Sequence, residues 1–570
     1  MNRLFILAIL FFTITTLPCR AQNKYDRVWI FGDSAGIDFN DLDTPVSLKT
    51  NCSANQENYA SVSDKSGNFQ FYVHGYPYGP LNSLSVNFLR IFDHTDQLMC
   101  NGDSIITNFT TTQGSLILPS SITEGKYFLF NVHWLTDLPI PIAFRYSIVD
   151  MNLNNGNGCV TDKNVILLEA LLTEKLQAVK HANGIDWWII VTGGYGSDAC
   201  YEFLLSDDIF IGPFVQNLRG FASGEGAGQM KVSQDGSMLA IASSDTGGII
   251  DLYNFDRCTG TLSFRDSINL QKEIGYGNFY GCEFSPNGNY LYVSYPYEFY
   301  DQRILQYNLG ASNITGSKKI VLNYIQENDS FFKVFGQLQL APNGKIYCAM
   351  ATSFPLLYPG QYIYYLASIN SPNEEAPFCD AQIHGIDLLG SSTGGLPNMP
   401  NYNLGPIIPP MVDAGANTET CAGVPVQLQA VSSSTCIYNW QPPEFLSNSN
   451  IANPIATVNE TTTFTLTVTD TSIHVSCNKT SIDTVTVFVT DNTPAVQTLY
   501  VVPSGDEFFL LQDLQPNTSL EVISVNGQRI YQTDNYQNDL ALKNLAAGMY
   551  YYKMNLPDCY EVKGKFVVLR

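Results

Sequence analysis

Along most of this chain apolar and polar residues alternate at every second position, in short runs that end in Gly-containing turns. A period of two predicts strands with one face buried. One phrase recurs: GQMKVSQDGSMLAIASS at Gly228, YGCEFSPNGNYLYVSYP from Tyr280 and FGQLQLAPNGKIYCAMA from Phe335. Each copy predicts a strand, an Asp-Gly or Asn-Gly turn and a second strand. A tight turn of this kind calls for positive φ at its central residues. Looser copies stand upstream as YASVSDKSGNFQFYV, GSLILPSSITEGKYFLF and KLQAVKHANGIDWWIIV. The turn glycines are Gly67, Gly125, Gly184, Gly236, Gly288 and Gly344, spaced by 58, 59, 52, 52 and 56 residues. A period near fifty built from strands points to a β-propeller or another repeat array.

A third strand follows each hairpin: RIFDHTDQLM, AFRYSIVDMN, CYEFLLS, IIDLYNF, RILQYNL and YIYYLASI. Six blades are therefore visible as repeats. The flanks before Asn51 (DRVWIFGDSAGIDFN) and after Asp380 have no complete hairpin of their own. Joined, they would supply a seventh blade and close the ring, which removes two exposed sheet edges. The expected fold class is all-β: a propeller, expected to have seven blades, over residues 25–405, followed by two small β-units.

The run GPIIPPM marks a proline-rich, extended linker over residues 406–411. Residues 412–491 carry the strands VPVQLQAV, IYNWQPP, TTTFTLTVTD and TVTVFVT, which suit an immunoglobulin-like β-sandwich. Cys421 and Cys477 are placed to bridge its sheets, with Cys436–Cys477 as the competing pair. Residues 497–570 contain another Asn-Gly hairpin, SLEVISVNGQRIYQT, and the terminal strand EVKGKFVVLR. A unit this small can fold alone with modest stability.

The net charge is −23, with 29 basic against 52 acidic residues, which disfavours nucleic-acid backbones and anionic membranes as partners. Arg3, the apolar run LFILAILFF and Cys19-Arg20-Ala21 have the anatomy of a secretory signal peptide over residues 1–21. A lipid-anchored reading would acylate Cys19, and Pro18 speaks against it. No transmembrane segment is expected in the mature chain. Among the thirteen cysteines, eight lie in the repeat region: Cys52, Cys100, Cys159, Cys200, Cys258, Cys282, Cys348 and Cys379. In an exported protein an even set suggests disulfides, and the alternative is buried free thiols.

Three resemblances refine this picture. The strand Leu520–Val525 with Asn526-Gly527, the phrase Leu545-Ala546-Ala547-Gly548-Met549-Tyr550-Tyr551 and the basic strand Lys563 to Arg570 resemble the C-terminal sorting domain of the Bacteroidetes type IX secretion system. Tyr500-Val501-Val502-Pro503 departs from the usual opening phrase of that family. The resemblance implies export through that machinery and a secreted or outer-membrane-surface location. Cys421-Ala422-Gly423 and the strands after it look like the PKD or immunoglobulin-like modules of the same bacteria. Trp29, Phe31, Gly32, Ala35, Gly36, Asp38 and Phe39 match the opening of a group of secreted propellers, which brings no site residues with it.

No His-Glu-x-x-His, Gly-x-Ser-x-Gly or phosphate-binding glycine loop occurs. His74, His94, His133, His181, His384 and His474 are scattered. His133-Trp134 and Trp187-Trp188 could stack on sugar rings, but core packing between blades is the better reading. Asp41-Leu42-Asp43 lacks the rest of a calcium ligand pattern. No catalytic, cofactor-binding or metal-ligating residue is assigned, and no cofactor is expected. The expectation is a non-enzymatic secreted or surface protein whose propeller binds a glycan or another protein. The alternative is a polysaccharide hydrolase or lyase with carboxylates gathered at the channel mouth.

Overall fold

The computed structural model describes residues 22–52, 57–76, 87–108, 110–133, 142–194, 196–218, 226–243, 248–269, 279–298, 301–325, 333–352, 362–433, 436–471, 477, 479–490, 495–496, 500–502, 517–555 and 561–569. The signal-peptide expectation, residues 1–21, falls outside these. The chain divides into two compact units, Met1–Ile407 with His474–Cys477, and Ile408–Ile473 with Asn478–Arg570. Among the described residues there are strands and short 3-10 turns and no α-helix. Among the described residues no helix is long and apolar enough to cross a membrane.

In the first unit the repeats fold as six four-stranded antiparallel sheets, each ordered as it runs in sequence. One sheet consists of Met230–Val232, Met238–Ser243, Ile249–Phe255 and Leu262–Asn269. The first three strands lie where the alternation puts them. The fourth goes unannounced in the sequence because it is an outer edge: Ile209–Asn217 is mostly exposed, so it needs no apolar alternation. The middle strands are buried on both faces, as in Trp187–Gly193 and Met238–Ser243. Stacking each sheet between two neighbours makes both of its faces core.

All six turn glycines have positive φ, from 72° to 95°. The residue before each, Asp or Asn in four copies and Ser66 or Glu124 in the other two, does not, so these are not the two-residue mirror-image turns that the sequence suggested. Gly236 N–H donates to the Ser233 carbonyl at 2.9 Å, and Asp235 Oδ1 accepts from Ser237 N–H at 3.0 Å. The Asp side chain satisfies the turn backbone, and only the glycine needs the left-handed region.

The first strands of successive sheets are neighbours: Ala60–Ser63, Ser115–Pro119, Leu172–Lys180, Met230–Val232, Cys282–Phe284 and Lys333–Leu340. They surround a central channel, the arrangement of propeller blades. A three-stranded sheet, Val28–Phe31, Ala35–Asp38 and Val46–Lys49, packs beside Ala60–Ser63. Asp33 and Ser391 exchange both backbone hydrogen bonds at 2.8 Å, so the start and end of the unit are tied. The backbones approach so closely there that a Cβ on Gly32 would collide with the Ser391 carbonyl.

The second unit holds two apolar cores. One surrounds Trp440, Phe464, Leu466 and Val485 beneath a sheet ordered Thr418–Cys421, Thr480–Thr490, Thr462–Asp470, Cys436–Gln441. The other surrounds Leu520, Val522, Tyr550 and Phe566, from Ser519–Ser524, Gly548–Asn555 and Glu561–Val568. The Asn526-Gly527 turn forms, with Gly527 at φ 79°.

The disulfide expectations need correction. Cys477 pairs with Cys258, not with Cys421 or Cys436, and Cys436 is a free thiol. Cys100 pairs with Cys159 across adjacent sheets. Cys52, Cys200, Cys282, Cys348 and Cys379 are buried and outside any disulfide, serving as small core residues.

Candidate active site

The first strands of neighbouring sheets diverge, so their channel-facing backbone groups cannot all pair with one another. Glutamines supply the missing partners, because a carboxamide offers the same donor and acceptor as a peptide. Gln113 Nε2 donates to the Met230 carbonyl at 3.0 Å, and its Oε1 accepts from Met230 N–H at 2.6 Å. Gln229 Oε1 accepts from the N–H groups of Cys282 and Leu338 at 3.1 and 2.9 Å. Gln337 Oε1 accepts from Leu396 N–H at 2.8 Å, and its Nε2 donates to the Thr112 carbonyl.

One end of the channel is filled by chain. Residues 396–404 cross it, with Asn398 N–H on the Tyr59 carbonyl at 3.0 Å, Asn398 Nδ2 on Leu176 O at 2.8 Å and the Tyr402 hydroxyl on Ile117 O at 2.8 Å. Above Met399 and Asn401 a buried ion pair joins Lys231 Nζ to Glu283 at 3.1 Å, both side chains 3% exposed. The cavity left there is about 20 Å³, room for one water and no substrate.

The opposite end carries the chemistry. Glu57, Thr112, Glu174, Lys175, Gly226, Ala227 and Tyr280 all precede or open the first strand of a sheet, so the ring gathers them at one mouth. Glu174, itself buried, accepts from the Thr112 N–H and hydroxyl, both at 2.8 Å and on one oxygen. Lys175 directs its ammonium at the Gly226 carbonyl and, at 3.1 Å, the Ala227 carbonyl. Glu57 is only partly buried as a residue, but its carboxyl lies deep. Burial and then the facing Glu174 push its pKa from 4.5 up to about 8, against a pull downwards from Tyr280 and Thr112. Two carboxyls in one place, one of which keeps its proton near neutrality, form an acid–base pair.

The residues weighed from sequence lie elsewhere. Trp187 and Trp188 are buried core, and Trp188 Nε1 donates to the Arg257 carbonyl at 2.9 Å. His133 is fully buried, and Trp134 and His474 fall outside the described residues. His74 is buried in Phe69–Tyr76, and burial followed by Arg90 lowers it to about 4. His181 belongs to its turn, accepting from Asn183 N–H at 3.2 Å. Asp41 caps its own loop through Asp43 N–H and Thr44. Among the described residues no group of three His, Cys, Asp or Glu side chains could hold a metal ion.

The acids were missed because 117 positions separate Glu57 from Glu174. A signal existed all the same. Both stand ten residues before their turn glycines, Gly67 and Gly184, and Gln177, Gln229 and Gln337 each stand seven before theirs. Polar residues at one register of otherwise apolar strands mark the channel.

No family model matches the chain, and no curated protein does. Solved structures do. A candidate 6-phosphogluconolactonase from Bacteroides uniformis matches at 13% identity and TM-score 0.38, covering 64% of this chain and 97% of that one. A periplasmic gluconolactonase from Pseudomonas aeruginosa matches at 11% and 0.40, covering 65% and 97%. A fungal alcohol oxidase solved with copper matches at 9% and 0.28, covering 74% and 95%. Likeness this distant carries no reaction across to this chain. The non-enzymatic binding scaffold expected from the sequence is corrected on the site itself: the channel end holds two facing carboxyls, one of which keeps its proton near neutrality, and a pure scaffold does not require them.

Proposed function

We propose that the first unit is a hydrolase acting on a saccharide-type substrate at the Glu57 mouth of the channel. The observation that carries the proposal is the pairing of Glu57, which holds its proton to about pH 8, with Glu174, which accepts two hydrogen bonds from Thr112. Glu57 acts as general acid and gives its proton to the leaving oxygen as the C–O bond breaks. Glu174 takes a proton from the attacking water, whose oxygen forms the new bond to carbon. Return of that proton to Glu57 restores both groups, and one water is consumed. Lys175 and Thr112 hold the mouth in shape.

The three-stranded sheet at Val28–Lys49 supplies a seventh blade, a reading supported by its exchange of hydrogen bonds with Ser391. Residues 25–405 form the propeller, 412–491 an immunoglobulin- or PKD-like module and 497–570 a type IX sorting domain. The protein is secreted through that machinery. Support for the last two points comes from sequence resemblance, with the Asn526-Gly527 hairpin formed as that resemblance requires.

The test is hydrolysis of a panel of oligosaccharides and sugar lactones by the full chain. Glu57→Gln and Glu174→Gln should each lower kcat by roughly 10²-fold or more. Activity should fall as pH rises through about 8, where Glu57 loses its proton. Full activity in Glu57→Gln would rule the assignment out.

A further inference from the structure

Gln337 stands in the polar register that marks the channel, but its bonds differ from those of Gln113 and Gln229. Its carboxamide nitrogen donates to two backbone carbonyls, that of Glu57 at 3.4 Å and that of Thr112. An amide nitrogen has two hydrogens, so both are used. Glu57 is the first acid of the mouth, and Thr112 holds the second. The Thr112 N–H and hydroxyl donate to the Glu174 carboxylate, and Gln113 N–H donates to the Glu174 carbonyl at 3.1 Å. The rest of Gln337 fastens this arrangement to the segment that closes the ring. Its N–H donates to the Gly394 carbonyl at 2.9 Å, and its Oε1 accepts from Leu396 N–H at 2.8 Å. Between those residues Gly395 lies so close to Glu57 that a Cβ on it would come within 2.5 Å of the Glu57 carbonyl oxygen. Pro397 then bridges to Tyr59.

We propose that Gln337 is a positioning residue that sets the separation of the two acids, by tying Glu57 and the Thr112 that grips Glu174 to residues 394–398. This rests on the hydrolase reading and extends it, because the acid pair is then complete only once the end of the first unit has docked beside its beginning. No other side chain of similar size serves. Asn keeps the amide but is one methylene shorter, and an ionised Glu has no hydrogen to give. The Glu57 carboxyl faces Glu174, Tyr280 and Thr112, and burial is the first cause that raises it. Slackening the backbone beneath the pair admits water and draws the carboxyls apart. Both changes lower the Glu57 value towards 4.5. A general acid displaced in this way also loses its alignment with the leaving oxygen, which costs rate more than binding.

The test uses Gln337→Met in the full chain, an unbranched replacement of similar length without the amide. Gln306→Met is the control: Gln306 is equally buried and bonds Tyr292, Glu374 and Ala376, away from the channel. The alkaline limb of the wild-type pH–rate profile should lie at about 8. In Gln337→Met it should move down by about one pH unit or more, and kcat should drop roughly 10-fold or more with KM nearly unchanged. Gln306→Met should leave the limb in place. A limb unmoved in Gln337→Met, or moved equally in both variants, overturns the proposal and leaves Gln337 as a stitch between strands. If the wild-type protein hydrolyses no saccharide, the hydrolase reading fails by itself, and urea unfolding then decides the role of Gln337. The effect of Glu57→Gln on stability is measured against pH in the wild-type and Gln337→Met backgrounds. It levels off where the folded Glu57 ionises, and this point should lie about one pH unit lower with Gln337→Met. The same point in both backgrounds overturns the proposal. Should Gln337→Met fail to fold, Gln337→Asn, which keeps the amide and loses the reach, is held to the same limits.

Discussion

Replacing Glu57 with Gln should make the propeller more stable at neutral pH, and by an amount that depends on pH. The folded protein holds the Glu57 proton to about pH 8, against an ordinary value of 4.5 in the unfolded chain. Below pH 4.5 both states are protonated and the site contributes its full stability. As pH rises from 4.5 to 8 the unfolded chain ionises first, so stability is lost by about 1.4 kcal/mol per pH unit. At pH 7 the loss amounts to about 3 kcal/mol, and it levels off above 8 near 5 kcal/mol. Gln has the same shape and no proton to lose, so the variant does not share this slope. Other buried acids with raised values, Asp26 and Asp251 at about 6 and Glu202 at about 7, act equally in both proteins and cancel in the difference. Urea unfolding at pH 5, 6, 7 and 8, followed by tryptophan fluorescence, reads the effect. Trp29, Trp187 and Trp188 report the first unit, because all three are buried there. The gap between variant and wild type should be small at pH 5 and about 3 kcal/mol at pH 7. Two proteins whose stabilities run parallel within about 0.5 kcal/mol over this range would refute a proton-holding Glu57, and with it the general acid.

The buried Lys231–Glu283 pair should behave asymmetrically. Lys231→Met alone strands a buried carboxylate and should cost about 3–5 kcal/mol in the same unfolding assay, whereas Lys231→Met with Glu283→Leu should recover most of it. Gln229→Leu removes the acceptor for Cys282 N–H and Leu338 N–H, and a loss of about 2–4 kcal/mol is expected from two unanswered buried donors. A Gln229→Leu protein as stable as wild type would show that the glutamine bridges do not hold the ring.

The hairpins were legible because their cause is local. A glycine at positive φ and a short polar side chain that bonds its own turn lie within five residues in each copy, the side chain being Asp or Asn in five and Ser120 in the Gly125 copy. The fourth strand of each sheet was not legible, since an exposed edge imposes no apolar pattern. Cysteine pairing was not legible either: Cys258 and Cys477 stand 219 positions apart, and nothing in their spacing prefers that bond to Cys421–Cys477. The repeated phrase itself hid chemistry. Gln229 looked like a strand residue, and it stitches three strands together.

By itself the sequence determined the unit of construction: strand, turn, strand, at a period near fifty, with an acidic exterior. Those properties follow from backbone sterics and from alternation along a few consecutive residues. The tertiary structure alone decided which of 52 acidic residues matter. Glu57 and Glu174 come together because closing a ring brings the entrances of its first strands to one point. The altered chemistry of Glu57 then arises from burial and from the facing Glu174, and both depend on distance in space and not on distance along the chain.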